Sequence, residues 1–406
     1  MSPAEKILEG ITLENAAAKS RRWLAEEMQR NPYPAERFTG RGIVIAAGGL
    51  RYGVCAYVAV RAIRHVGCTL PIEIWYRGPG EYLPALEDAM RPLGCRWIDA
   101  YAVREKYPHA RLNGFELKPY AIQHCQFREV LFVDADNVAV RNPTYLFDDP
   151  RYQAAGTILW PDYHRLGRDR GAWQLFGLDY RDEPECESGQ VLTDKSRSWP
   201  ALLMADWYGQ RSLLTFRHVH GDKELFHLGW RSTNTPYAMP ARGIETLACC
   251  GGRHSTMCQH DLDGRRVFQH RNSTKWEFDA ERNVSVSGFQ LEKECLAWLS
   301  DLRTIFSPAA QTLASSHDQL ESADLVGARY VYHRVGHDRR NLVFGFNGRF
   351  ETGGAGREHY WAIRDGRLLI AGTDGQLTMD LTPTANGWTG RWLTHEQMPI
   401  QIVGPS

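Results

Sequence analysis

The sequence predicts an α/β fold, a Rossmann-like mixed sheet with flanking helices whose first strands run parallel, followed by a small antiparallel β barrel or sandwich. Three observations carry this reading. Short apolar runs alternate with helical patterns from residue 41 onward, as βαβ units require. Val130 to Val133 is an unbroken apolar run, suited to a strand buried on both faces, and it stops abruptly at Asp134-Ala135-Asp136. From Tyr330 the pattern changes to short alternating runs punctuated by Asp365-Gly366, Asp374-Gly375 and Asn386-Gly387, all strong hairpin signals.

Taken in order, residues 1–40 read as a helical segment that breaks at Asn31-Pro-Tyr-Pro34. A strand over 42–47 runs into Gly48-Gly49, and a helix follows with Val54, Tyr57, Val58, Ile63 and Val66 on its apolar side. Strands are predicted over 71–76, 95–99 and 130–133, with helices over 82–91 and 117–127 between them. Further strands read at 154–160 and 190–193, and helices at 199–208 and from 223 to 229. Residues 289–306 form the last helix, with Leu291, Cys295, Trp298, Leu299 and Leu302 at helical spacing. The predicted domains are therefore 1–40, 41–306, a polar linker over 307–325, and an all-β unit over 326–406.

Composition narrows the function classes. The chain has 406 residues, with Lys+Arg and Asp+Glu both at 48. No net field draws it to nucleic acid or to an anionic membrane, so any phosphate binding must be local. The 9 cysteines are scattered without a framework, which predicts free thiols in a reducing, cytoplasmic setting. The N-terminal stretch lacks the apolar core of a signal peptide, and no run suggests a membrane span.

Several constellations offer chemistry. Asp134 and Asp136, at the end of a buried strand, must find cations or donors. A divalent ion holding phosphates satisfies them, and strand carboxyl ends are where ligands collect in such sheets. This is the Asp-X-Asp arrangement of nucleotide-sugar-dependent glycosyltransferases, although an Asp-rich turn has the same letters. Gly48-Gly49-Leu-Arg51-Tyr52-Gly53 joins strand to helix. Its backbone lets a diphosphate approach, Arg51 can pair with phosphate and Tyr52 can stack on a base; a plain tight turn is the rival reading. Lys118 lies one helix upstream of the aspartates. Glu187-Ser-Gly189-Gln190 enters a strand with small residues against which a sugar ring can lie. Asp222, Lys223 and Glu224 open a helix, a place where acids are common for dipole reasons alone. His270 can complete the coordination of a borderline metal, and Lys275 can neutralise a departing diphosphate. Cys249, Cys250, His254, Cys258 and His260 cluster without the paired spacing of a zinc module. Trp361, Trp388 and Trp392 either fill a small β core or present a sugar-binding face, and the core is the favoured reading.

The stretches GGLRYGVCAYVAVRAIRHVGCTLPIEIWY, FELKPYAI, FREVLFVDADNVAVRNPTYLF, GTILWPDY, ESGQVL and GDKELF occur in that order. Together they resemble the fungal α-mannosyltransferase family that adds α-1,2- and α-1,3-linked mannose, over roughly residues 41–285. QHRNSTKW resembles the His-plus-Lys closing motif of retaining, glycogenin-like glycosyltransferases. The resemblance implies a GT-A fold, a metal such as Mn²⁺ (or Mg²⁺), a GDP- or UDP-sugar donor, most expectedly GDP-mannose, and retention of anomeric configuration. By the same resemblance Asp134, Asp136 and His270 hold the metal. Gly49, Arg51, Tyr52, Lys118, Ala135, Gly189, Gln190 and Lys275 face the donor, and Glu187, Asp222, Lys223 and Glu224 form the sugar pocket. A glycan or glycoconjugate hydroxyl is the implied acceptor. A sugar nucleotidyltransferase and a catalytically silent carbohydrate-binding protein are the alternatives. The chain departs from the family in lacking a membrane anchor, in its β domain, which offers a surface for oligomer contacts, and at TMCQHDL.

Overall fold

The structure is a computed structural model. It describes residues 7–79, 81–248, 255–277, 283–302, 325, 327–344, 350–364, 366–372, 376–393 and 398–404. The central sheet has six strands: β1 (Arg41–Ala46), β2 (Ile72–Tyr76), β3 (Cys95–Asp99), β4 (Glu129–Val133), β6 (Thr157–Arg165) and β7 (Pro184–Asp194). Their order is β3-β2-β1-β4-β7-β6. The first four run parallel, while β7 pairs antiparallel with both β4 and β6. This mixed sheet with helices on both faces is the GT-A type arrangement that the motifs implied.

Every residue of β4 is buried. Alternation splits the sheet's apolar side chains between two cores. Ile43, Ile45, Leu131, Val133 and Leu192 face one, packed under the helix α2 (Gly49–His65). Val44, Phe132, Leu159 and Val191 face the other, under the helices α5 (Leu117–His124) and α8 (Lys195–Gln210). A strand covered on both faces accommodates no charge within its length, and the chain leaves the sheet at Asp134.

The remaining helices are α1 (Ala16–Arg30), α3 (Pro84–Met90), α4 (Ala100–Lys106), α6 (Pro150–Ala155), α7 (Ala172–Phe176), α9 (Ser212–Thr215) and α10 (Lys223–Ser232). The Asp99 side chain caps α4 and the Asp194 side chain caps α8, each accepting from a backbone N–H two residues on. Residues 292–302 are helical, inside the predicted 289–306. The expected strand at 154–160 begins three residues late. Pro150 to Ala155 is helical, and Gly156 ends the helix in the left-handed conformation at φ +79°.

A second sheet was not expected from the sequence. It joins β5 (Asn137–Ala139), β8 (Glu245–Ala248), β9 (Ser255–His260) and β10 (Arg266–His270) in the order β5-β10-β9-β8. These strands are short, and β9 reads STMCQH, with little of the β-branched and aromatic content that marks a strand. Of the cysteine–histidine cluster, Cys249, Cys250 and His254 lie outside the described residues. Cys258 is a buried free thiol, and His260 lies beside Glu245 at 3.5 Å.

The C-terminal unit is one antiparallel sheet ordered β13-β12-β11-β18-β17-β16-β15-β14. Its strands are β11 (Arg329–Arg334), β12 (Asp338–Phe344), β13 (Phe350–Thr352), β14 (Tyr360–Arg364), β15 (Arg367–Ala371), β16 (Leu377–Thr384), β17 (Gly387–Arg391) and β18 (Pro399–Val403). Phe350 N–H donates to the His359 carbonyl at 3.1 Å, so the sheet curls back toward its far edge. Trp361 and Trp392 are buried in its core with Phe344, Met379 and Ile402, and Trp388 packs against them. The tryptophans fill a β core, as expected. Asp374-Gly375 and most of the linker at 307–325 lie outside the described residues. This β unit touches the first one at the glycine turn. A Cβ built on Gly49, at φ +67°, would lie 2.0 Å from the Gln376 side chain.

One glycine in the central sheet tests this packing. The Phe127 ring lies flat against Gly42 of β1, and a Cβ there would fall 2.4 Å from it. Phe127 is buried in the core and cannot swing out. Gly42→Ala is expected to lower unfolding free energy by about 1–3 kcal/mol, read from the shift in urea midpoint at constant slope.

Candidate functional site

The carboxyl ends of β1 and β4 meet in a cleft of about 440 Å³. Its wall includes Gly48, Tyr52, Lys118, Asp134, Ala135, Asp136 and Lys275. Three features of local structure assemble it. The Asp134 N–H donates to the Gly189 carbonyl at 2.7 Å, which extends the β4–β7 ladder by one bond and fixes the Asp-X-Asp turn. Antiparallel pairing of β5 with β10 sets Asn137 opposite His270, and the Arg271 N–H donates to the Asp136 carbonyl at 3.0 Å. Finally, α5 opens beside the same turn and delivers Lys118.

The resulting cluster is dense in charge. Lys118 Nζ lies 2.8 Å from Asp134 Oδ2 and 3.1 Å from Asp222 Oδ2. Asp222 Oδ2 also accepts from Ser188 Oγ at 2.7 Å. His270 Nε2 sits 3.2 Å from Asp136 Oδ1 and 3.8 Å from Asp134 Oδ2, while its Nδ1 faces Glu187 Oε1 at 3.4 Å. Lys275 Nζ is bonded to Asp136 Oδ2. Glu187 accepts from the Gly189 N–H at 2.7 Å. Gly189 has to be a glycine, since a Cβ there would lie 2.6 Å from the His270 ring and 2.8 Å from Glu187.

These distances explain the protonation states. Burial disfavours the His270 imidazolium, but the Asp136 and Glu187 carboxylates beside it override burial and hold its pKa up to about 10. The Asp136 carboxyl is driven well below the usual range: burial opposes its charge, and His270 and Lys275 outweigh burial. Lys118 is likewise held charged against burial by Asp134 and Asp222.

Donor atoms of Asp134, Glu187 and His270 lie within 4.8 Å of one another. Two carboxylates and an imidazole, with Asp136 alongside, are a donor set that suits a divalent cation. Binding would require His270 to give up its proton.

The structure brings together most of the residues singled out from sequence. Arg51 lines a small adjoining pocket with Asn272, Thr274 and Lys275. Gly49, Glu187, Gly189, Gln190, Asp222 and His270 do not line the cleft; Gln190 is fully buried and accepts from the Asn137 side-chain amide at 2.7 Å. Lys223 and Glu224 form a neighbouring cluster. Lys223 Nζ contacts Asp162 at 2.6 Å, Glu185 at 2.7 Å and Glu224 at 3.4 Å. The sequence reading missed Ser188, Arg77 and Glu81. Arg77 and Glu81 are ion-paired and line the main cleft. They follow β2, so the rule that ligands sit at strand carboxyl ends was the available signal.

Fold and site together define a class: a GT-A type α/β protein with an acid–imidazole–lysine cluster at the carboxyl edge of its sheet. Residues 40–185 match the family described as "Mannosyltransferase putative". The chain is 30% identical over 265 residues to alpha-1,2-mannosyltransferase MNN5 of Saccharomyces cerevisiae, covering 49% of this chain and 44% of that one. It is 28% identical over 296 residues to MNN21 of Candida albicans, covering 57% and 43%. The resemblance to fungal α-mannosyltransferases read from the motifs is thus borne out, over a chain that spans under half the length of these relatives. Among solved structures, mouse xyloside xylosyltransferase 1 covers 49% of the chain and 84% of its own at 14% identity and TM-score 0.37. The galactosyltransferase LgtC covers 49% and 73% at 15% identity and TM-score 0.34. Among the described residues no helix is long and apolar enough to cross a membrane.

Glu224 offers a test of the neighbouring cluster. Its side chain is fully buried, accepts from the His220 N–H at 2.8 Å, and has its carboxyl pKa pushed up to about 7 by burial. A carboxyl whose pKa rises on folding stabilises the fold most below its unfolded value of about 4.3, and that contribution fades as pH rises through 7. Between those limits the wild type is expected to lose stability on the order of 3 kcal/mol from this group. Glu224→Gln should flatten that slope in urea titrations run across the same window.

Proposed function

We propose that the protein is a metal-dependent, retaining mannosyltransferase that moves mannose from GDP-mannose to a hydroxyl of a glycan or glycoconjugate. The observation that carries this reading is the convergence of Lys118, Asp134, Asp136 and Lys275 on one cleft at the end of β4, with His270 buried against the two aspartates. A divalent cation, when bound, would supply Lewis-acid charge to the donor's diphosphate. The chain's own residues account for the rest. Lys118 and Lys275 are held charged and now rest on aspartates, which places them to move onto phosphate oxygens as negative charge develops there. Tyr52, 37% exposed at the start of α2, offers a ring to the base. Asp222, with Ser188 beside it, and Glu187 offer acceptors to sugar hydroxyls and fix the ring's orientation.

The seven described cysteines are buried free thiols, which supports a reducing compartment such as the cytoplasm.

Purified protein assayed with Mn²⁺ and a panel of nucleotide sugars tests the reading. Asp136→Ala is expected to reduce transfer by about 100-fold or more. Unchanged turnover would remove the aspartate pair from the chemistry, and release of pyrophosphate instead of nucleoside diphosphate would make the protein a nucleotidyltransferase.

A further inference from the structure

Helix α5 serves two sites. Its start carries Lys118 to the catalytic cluster, while Tyr120, Gln123 and His124, up to roughly 9 Å further along the axis, line a second cleft. That cleft is larger, at about 680 Å³, and lies between α1, the 31–37 segment, residues 106–109, α5 and α8. Its volume falls within the range of about 300–1,000 Å³ found for small-ligand sites.

Three features define what it can hold. Its charges cancel: Glu27, Glu36 and Asp206 stand against Arg30, Arg37 and Lys106. His124 adds nothing, because burial drives its pKa down to about 3. A phosphate-bearing ligand finds no net positive field there. Rings are present and partly open: Trp23, Tyr33 and Tyr107 are half-buried, and Tyr107 packs against His124, stacked at 4.8 Å, and the Arg37 guanidinium at 4.0 Å, which are bonded to each other at 3.3 Å. Hydrogen-bonding capacity is left over. Gln123 Oε1, Trp199 Nε1 and Tyr33 Oη are buried with no hydrogen-bond partner, and Gln123 and Trp199 are only 7% and 4% exposed. Buried polar atoms are normally satisfied, and three unpaired ones around a single cleft point to a missing partner.

We propose that this second cleft binds a neutral oligosaccharide. Sugar rings present apolar C–H faces to aromatic side chains and hydroxyls that both donate and accept. That combination suits a cleft with rings, an orphan acceptor, orphan donors and balanced charge. A purely apolar ligand would desolvate six charged side chains with nothing to offer them. The proposal relies on the catalytic reading only in the sugar chosen as first probe.

Saturation-transfer NMR on the full chain, with short α-manno-, malto- and cello-oligosaccharides, tests it. At least one series is expected to bind the wild type and Asp136→Ala equally, because the catalytic cleft is not involved. Affinity is expected to fall about tenfold in Tyr107→Ala and in Glu36→Arg. Glu36 is exposed, so that variant keeps the test valid even where loss of the Tyr107 ring unfolds the chain. No binding at about 10 mM overturns the proposal. Binding lost in Asp136→Ala, binding untouched by either rim variant, or displacement by GDP in Asp136→Ala overturns it too. Transfer from nucleotide sugars is measured separately, so absent turnover with intact oligosaccharide binding counts against the catalytic reading alone.

Discussion

The structure is organised by the point at which a doubly covered strand runs out of room for apolar residues and meets two carboxylates. Val130 to Val133 hold β4 between its neighbours with no access to water on either face. Asp134 and Asp136 follow at once, in a turn pinned by the Gly189 carbonyl. Charge in that position has to be met by charge. The chain brings a lysine from α5, a histidine from β10 and a second lysine beyond it, three segments far apart in sequence that share this one electrostatic task.

The cluster is therefore internally balanced before anything enters. Lys118 divides itself between Asp134 and Asp222, and Asp136 is shared by His270 and Lys275. Such an arrangement is balanced as a network and would reorganise if an external cation and anion entered together, since each internal partner would then have a stronger one to go to.

The parallel half of the sheet was legible because its strands are apolar runs of the right length separated by amphipathic helices. Asp134, Asp136, Lys118 and Asp222 were legible because strand ends and helix starts are recognisable places. The second sheet was not. Its strands are three to six residues long and polar, and only the pairing of Asn137 with His270 reveals that β10 belongs beside the aspartates. The reach of Gly189 was read as room for a sugar, whereas the space is filled by the His270 ring. Gln190 was misplaced for a related reason: alternation along β7 turns its side chain toward β5 and away from the opening.

Gly49 carries a consequence for how the two halves of the chain can move. Only a hydrogen atom separates its backbone from the Gln376 side chain of the C-terminal sheet, and its neighbour Gly48 lines the cleft. A shift of that sheet by the width of a methyl group would collide with the turn or release it. The C-terminal unit is thus a mechanical neighbour of the cleft, and anything grasping it from outside holds a lever on the cleft's mouth.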